Sequence, residues 1–192
     1  MSVLPEKIYI SPEDYLVMER VSPVKHEYFD GEIFQMAGTS RNHARISANT
    51  SASLVNQFKG RNCQSFQSDL RVKVPKTGLY TYPDVVAGCG ELLMDDAKYL
   101  DVLLNPTLII EVLSPSTEAY DKGTKFENYR TIESLLEYVL VWQDKKRVAR
   151  YTRRDDDSWV LTDFIGEDAV IELTSVVATL TMDDIYDKVE FK

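Results

Sequence analysis

The sequence predicts an α/β fold, a central mixed β-sheet flanked by helices, and three patterns carry that expectation. Residues 107–113 and 138–142 are almost continuous apolar runs of β-prone side chains, as in strands buried on both faces. Residues 42–58 and 121–136 carry helical periodicity, one ahead of the strands and one between those two runs. The resulting central order is helix, strand, strand, strand, helix, strand, which an α/β layer accommodates.

Each element has its own local cause. Residues 11–20 open a helix: Ser11 suits an N-cap, Pro12 suits the first helical position, and Glu13 and Asp14 suit the positive end of the helix dipole. Residues 26–37 read as a hairpin about Asp30-Gly31. After the break Gly38-Thr39-Ser40, a helix runs from about 42 to 58. Ile46, Thr50, Leu54 and Phe58 form one stripe, Ala44, Ala48, Ala52 and Val55 lie beside it, and Gly60 ends it. Strands follow at 63–69, 71–74 and 83–88, then an acid-rich connection over 88–105. Beyond the strand at 138–142, residues 147–152 and 158–164 form a hairpin about Asp155-Asp156-Asp157, and 182–186 form a last short helix. With no repeat, low-complexity tract or long linker, residues 1–192 read as a single domain. Residues 1–40 are an N-terminal helix and hairpin extension, 41–165 the core and 166–192 a C-terminal extension.

Hydrophobic content of 44% and charged content of 28% are those of an ordinary globular chain, which excludes a disordered or fibrous class. No apolar run is long enough for a transmembrane helix, and the first residues lack a basic-then-apolar leader, so a cytoplasmic protein without membrane contact is expected. Cys63 and Cys89 are the only cysteines and are expected as reduced thiols; with two histidines they form no zinc spacing. The net charge of −9 argues against a general nucleic-acid coat. Residues 41–76, however, hold seven basic residues and one acid, a net +6 that leaves −15 elsewhere. That segment is either a solvated surface balanced by neighbours or a phosphate-contact face, with Arg41, Arg45 and Lys73 as candidate contacts to a DNA backbone.

One carboxylate, Glu111, sits inside the apolar run 108–113, and burying it alone would cost several kcal/mol. It therefore needs a lysine or a metal ion. Asp84 leads into the apolar run 85–87 in the same manner. If the two strands are neighbours, the two acids can share a divalent cation, Mg2+ or Mn2+, with waters and a phosphate completing its shell. Lys125, on the following helix and four residues before Tyr129, is placed to offset charge or orient water. Glu27, His43 and Tyr129 are accessory candidates. The structural alternatives are a turn-opening role for Asp84, a buried ion pair for Glu111 and an exposed helix position for Lys125. No serine-nucleophile elbow and no phosphate-cradling glycine loop is present.

The series His26-Glu27, Asp30-Gly31-Glu32, His43, Tyr82-Pro83-Asp84-Val85-Val86, Glu111-Val112-Leu113-Ser114-Pro115-Ser116-Thr117, Asp121, Lys125, Tyr129 and Glu137-Tyr138 resembles the Uma family of restriction-endonuclease-like proteins. That family belongs to the PD-(D/E)xK nuclease superfamily. The resemblance spans nearly the whole chain and implies a restriction-endonuclease-like core, a mixed sheet flanked by helices in αβββαβ order. It implies that Asp84 is the acid of the PD element and Glu111 that of the (D/E)xK element. At Leu113 the chain departs from the pattern, which has lysine there. Lys125 is the candidate to supply the ammonium from the neighbouring helix, with Lys122 the weaker one. The implied function is Mg2+-dependent (or Mn2+-dependent) endonuclease hydrolysis of DNA, for which a homodimer would suit cutting two strands. The alternatives are a catalytically inactive module of the same fold that binds nucleic acid or protein, and, ranked last, a carboxylate-pair glycosidase.

Overall fold

Ser11 starts the first helix, α1 (Pro12–Glu19), by accepting a hydrogen bond from the Asp14 amide at 3.1 Å. The structure, a computed structural model, describes residues 9–191. Strands β1 (His26–Phe29) and β2 (Glu32–Gln35) follow, joined by Asp30 and Gly31 at φ 48° and 79°. Two left-handed residues in a two-residue loop match the twist of a hairpin. A Cβ at position 31 would also run into the Tyr9 ring. Helix α2 (Arg41–Phe58) begins where the Ser40 hydroxyl accepts from the His43 amide at 3.1 Å. It buries Ile46, Thr50, Leu54 and Phe58 as the periodicity requires, but Ala44, Ala48, Ala52 and Val55 face solvent. The apolar stripe is thus narrower than the sequence suggests.

Next come β3 (Cys63–Gln67), β4 (Arg71–Val74), β5 (Leu79–Thr81), β6 (Val85–Cys89), β7 (Val102–Leu103) and β8 (Leu108–Leu113). A short helix α3 (Glu118–Tyr120) runs into a π-helical turn, Asp121–Lys125, and then into α4 (Phe126–Tyr129). The helix expected over 121–136 therefore starts earlier and stops at Tyr129. The Ile132 amide bonds the Tyr129 carbonyl and the Leu135 amide the Ile132 carbonyl, three-residue links that fold the chain tighter than an α-helix and turn Ile132 and Leu135 into the core. The remainder is β9 (Glu137–Trp142), β10 (Arg147–Arg153), β11 (Trp159–Ile165), β12 (Val170–Leu173), β13 (Ala178–Thr181) and α5 (Met182–Tyr186), the last with a capping box between Thr181 and Asp184. Sequence patterning does not reveal β5, β12 and β13, each only three or four residues long.

The main sheet has the order β11-β10-β9-β8-β6-β3. β8 and β9 are parallel, and every other neighbour pair is antiparallel. Reading α2, β3, β6, β8, α3 to α4 and β9 along the chain recovers the expected αβββαβ order, while β4, β5 and β7 are diverted into a second sheet. That sheet has the order β2-β1-β5-β4-β7, so the N-terminal hairpin shares a sheet with strands from the middle of the chain. Likewise β12, β13 and α5 contribute Ile171, Leu173, Leu180 and Ile185 to the principal core.

The two faces of the main sheet divide the core by the two-residue period of its strands. From β8, Leu108, Ile110 and Val112 pack with α2 and the C-terminal elements. Ile109 and Leu113 pack on the opposite face with Val72, Leu79, Phe126 and Tyr129, so Glu111 points there too. Stacked Tyr15 and Tyr28, with ring centroids 5.0 Å apart, and Tyr80 fill the space between α1 and the second sheet.

Cys63 and Cys89 are joined in a disulfide, which corrects the expectation of two reduced thiols. They are direct cross-strand partners on β3 and β6 with Cα atoms 4.0 Å apart, a register that spacing in sequence does not disclose.

Leu54→Ala, which empties a fully buried site on α2, is expected to lower stability by about 2–5 kcal/mol in urea unfolding. Ala48→Gln on the exposed face is expected to change it by less than about 0.5 kcal/mol. Equal effects would contradict the burial assigned to this helix.

Candidate active site

Glu111 lies mid-strand in β8 at 3% exposure, and the fold meets its charge with an ammonium. Lys125 Nζ stands 2.9 Å from Glu111 Oε1, 3.3 Å from Glu27 Oε1 and 3.6 Å from Asp121 Oδ1. The π-helical turn brings Asp121 and Lys125 inward together, and turns of this kind recur at functional sites. Tyr129 OH donates to Glu111 Oε1 at 3.0 Å, and Tyr138 OH donates to the Asp121 carbonyl at 2.9 Å. Glu27 arrives from β1 of the hairpin; it accepts from the Thr81 hydroxyl and, at 3.2 Å, from Tyr120 OH.

Asp84 precedes β6, directly across from the Glu111 region of β8, since Val85 pairs with Ile110. Its Oδ2 accepts from the Val112 amide at 2.7 Å and lies 3.1 Å from His43 Nε2, while its own amide donates to Glu111 Oε2 at 3.3 Å. The α2 cap at Ser40 is what sets His43 in the first helical turn, facing this carboxylate. The structure thus brings Asp84, Glu111, Lys125, Glu27, His43 and Tyr129 into one cluster. Asp121, Tyr120 and Thr81 join it; for Asp121 the i, i+4 spacing to Lys125 was the available signal.

The other named positions lie differently. Leu113 is on the same face of β8 as Glu111 and is packed into the apolar core. Lys122 is exposed and 3.4 Å from Glu118. Arg41 pairs with Glu190 at 3.2 Å, Lys73 with Asp95 at 3.0 Å, and Arg45 is exposed on α2.

Four carboxylates surround one ammonium and one imidazole, so the cluster is short of positive charge. Burial, with Asp84 and Asp121 nearby, pushes the Glu111 carboxyl up to about 8 against the pull of Lys125. Burial likewise raises Asp121 against the pull of Lys125. For Lys125, burial disfavours the charge, but Glu111, Tyr129, Glu27 and Asp121 outweigh it and hold the ammonium protonated. Lys125 is therefore a fixed cation and not a base.

The donor set suits a small hard cation. Glu111 Oε1 is taken by Lys125 and Tyr129, and Asp84 Oδ2 by Val112 and His43. Glu111 Oε2 and Asp84 Oδ1 are the oxygens left least satisfied. Among the described residues no group of three or more His, Cys, Asp or Glu forms a ready-made metal cage. Mg2+ characteristically takes one or two carboxylates and completes its shell with waters and substrate phosphate. The Asp84 and His43 side chains, 16% and 17% exposed, form the opening, whereas Lys125 and Glu111 lie behind it.

Residues 12–184 match the sequence profile of the Uma2 family, described as "Putative restriction endonuclease". Two Synechocystis sp. relatives carry only the names "Uncharacterized protein slr1290" and "Uncharacterized protein sll1609". The first is 38% identical over 95% of this chain and 94% of its own length. The second is 38% identical over 91% and 98%. The fold resembles that of a solved chain from Anabaena variabilis described as "a putative nuclease belonging to DUF820". The TM-score is 0.74 at 18% identity, covering 91% of this chain and 96% of the other. Among the described residues no helix is long and apolar enough to cross a membrane.

The raised carboxyl has a consequence for stability. Between its ordinary value of 4.5 and about 8, folded Glu111 keeps a proton that the unfolded chain has lost, so its contribution makes stability fall as pH rises across that window. Glu111→Gln, neutral throughout, is expected to flatten that fall in urea titrations of the metal-free protein. An unchanged slope would show that Glu111 titrates as an ordinary carboxyl.

Proposed function

The chain belongs to the Uma2 family, and on that footing we propose that it is a divalent-metal-dependent endonuclease that hydrolyses DNA phosphodiester bonds. The observation that carries this reading is the convergence of Asp84 and Glu111 from adjacent strands beside the Lys125 ammonium. Asp84 and Glu111 would hold Mg2+ or Mn2+, and such an ion supplies polarisation of a phosphoryl oxygen and a more acidic water.

The protein's own groups do the positioning. The Val112 amide and His43 fix one Asp84 oxygen, and Tyr129 and Lys125 fix one Glu111 oxygen, so the second oxygen of each acid, that of Glu111 with a 3.3 Å bond from the Asp84 amide, is preorganised. Glu27 and Asp121 hold the Lys125 ammonium beside them, where a permanent positive charge offsets the negative charge that develops on the phosphoryl group. Burial of Lys125, Glu111 and Tyr129 excludes water from behind the site and strengthens these interactions. Arg41 and Arg45 at the start of α2 are proposed contacts to the DNA backbone; Lys73 on β4, held by both Asp95 oxygens at 3.0 Å, would reach it only by giving up that pair. A homodimer would allow both strands to be cut.

One observation favours a second reading. The motif lysine is replaced by Leu113, and the substitute ammonium is already shared among three acids. A nuclease-fold module that binds nucleic acid or protein without cutting it would tolerate that arrangement.

Incubation of supercoiled, single-stranded and branched DNA with the protein in Mg2+, Mn2+ or chelator separates the two. Cleavage is expected with metal and not with chelator. Asp84→Asn and Glu111→Gln are each expected to lower it by roughly 100-fold or more, with unchanged circular dichroism. Lys125→Ala is expected to reduce the rate by a similar factor, about 100-fold, while sparing metal affinity. Metal-independent cleavage, or full activity in either acid variant, would remove these residues from the chemistry. No cleavage of any substrate, with DNA binding retained, would establish the second reading.

A further inference from the structure

Positive charge is concentrated at 41–76 in the sequence, but the fold engages much of it internally. Arg71 is buried against Asp101, which also accepts from Arg20 at 2.9 Å. Both Asp95 oxygens lie 3.0 Å from Lys73 Nζ. Arg61 donates to the backbone carbonyls of Val176 and, at 2.9 Å, Val177.

Open cations beside the mouth of the site come from a different part of the chain. Trp142 ends β9 in register with Leu113 at the end of β8, the point where the loop 114–117 leaves the sheet. Its ring is buried, and Lys122 and Lys145 rest over it with their ammonium groups 5.5 and 5.9 Å from the centroid. Lys145 is exposed and, among the described residues, makes no ion pair; Lys122 lies 3.4 Å from Glu118 Oε1, the oxygen that also accepts from Trp142 Nε1 at 3.2 Å. Asp144, exposed, is the nearest acid to Lys145 in the chain. In the loop that leaves β8, Ser114 Oγ lies 3.0 Å from both Ser116 Oγ and Thr117 Oγ1, an exposed hydroxyl cluster. Gln143, following Trp142, meets the Ser40 hydroxyl, and its carbonyl accepts from Asn42 at 3.4 Å. The rim is thereby tied to the helical turn that presents His43 to Asp84.

We propose that Lys122 and Lys145, with the hydroxyls of Ser114 and Ser116, form a docking strip for the sugar-phosphate backbone of the DNA strand next to the scissile phosphate. Lysines and serines are characteristic phosphate partners, and they carry no base information. The Trp142 ring underneath is too buried to stack on a base; the Arg147 guanidinium covers it at 4.3 Å, and the two lysines border it at 5.5 and 5.9 Å. The strip therefore binds backbone regardless of sequence, and the exposed Lys122–Glu118 contact yields to a phosphate. This inference rests on the endonuclease reading and adds the surface that carries the strand to the site.

The test is fluorescence anisotropy with labelled single- and double-stranded oligonucleotides over a salt series, with chelator so that no strand is cut. Each lysine–phosphate contact adds about 0.7–0.9 to the slope of log affinity against log salt. Lys122→Ala/Lys145→Ala is expected to make the slope shallower by about 1.4–1.8 and to weaken binding several-fold, with an unchanged urea midpoint. Lys59→Ala, about 24 Å along α2 from His43, is expected to match the wild type. Wild-type slope and affinity in the double variant, while the wild type binds DNA, would overturn the strip and leave the endonuclease reading standing. A wild type that binds neither oligonucleotide, in chelator or with non-cleaving Ca2+, would overturn the endonuclease reading itself.

Discussion

A carboxylate in the middle of a buried strand is an unfavourable thing to fold around, and the ion pair between Glu111 and Lys125 is what makes it tolerable here. The pair is buried at both ends, so removing Lys125 would leave Glu111 without its nearest positive charge in a low-dielectric interior. One ammonium does not satisfy one acid alone. Glu27 from the N-terminal hairpin and Asp121 from the π-helical turn close on the same nitrogen. The N-terminal hairpin, β8 and the π-helical turn are thus fastened at a single atom, and the second sheet is held against the first partly through it.

The same arrangement leaves the site unfinished in charge. Burial raises the Glu111 carboxyl, Asp84 and Asp121 add to the rise, and one oxygen of Asp84 and one of Glu111 are left least satisfied. An additional cation would relieve both effects. Stability and proposed chemistry therefore pull in opposite directions: the acid excess burdens the fold, and it is the feature that would recruit a metal. Burial of Lys125, Glu111 and Tyr129 behind the Asp84–His43 opening gives that recruitment a defined direction of approach.

Long segments with strong periodicity are legible in the amino-acid sequence: α1, α2, the first hairpin, β8, β9 and the β10–β11 hairpin all lie within a few residues of their expected positions. The short strands β5, β12 and β13 are not, because three or four residues with no clear alternation carry too little pattern. The helix after β8 is shorter than expected because the three-residue backbone links beyond Tyr129 bury Ile132 and Leu135 at a spacing that imitates helical periodicity. The disulfide is hidden in the sequence because pairing Cys63 with Cys89 depends on strand register. At the site, an acid in an apolar run identifies Glu111 and Asp84 from the sequence alone, and the helical spacing to Tyr129 identifies Lys125. Tyr120 and Thr81 escape notice because nothing in their local sequence shows that they meet Glu27, whereas Asp121 stands at the i, i+4 spacing to Lys125.

The central claim is that Asp84 and Glu111 form one cation site with Lys125 fixed beside it. It is tested most directly by locating Mn2+ through its anomalous scattering in crystals soaked with the metal. The account predicts a single strong peak bridging the Asp84 and Glu111 carboxylates, lost in Asp84→Asn crystals. A peak elsewhere, or none at a concentration that supports cleavage, would contradict it.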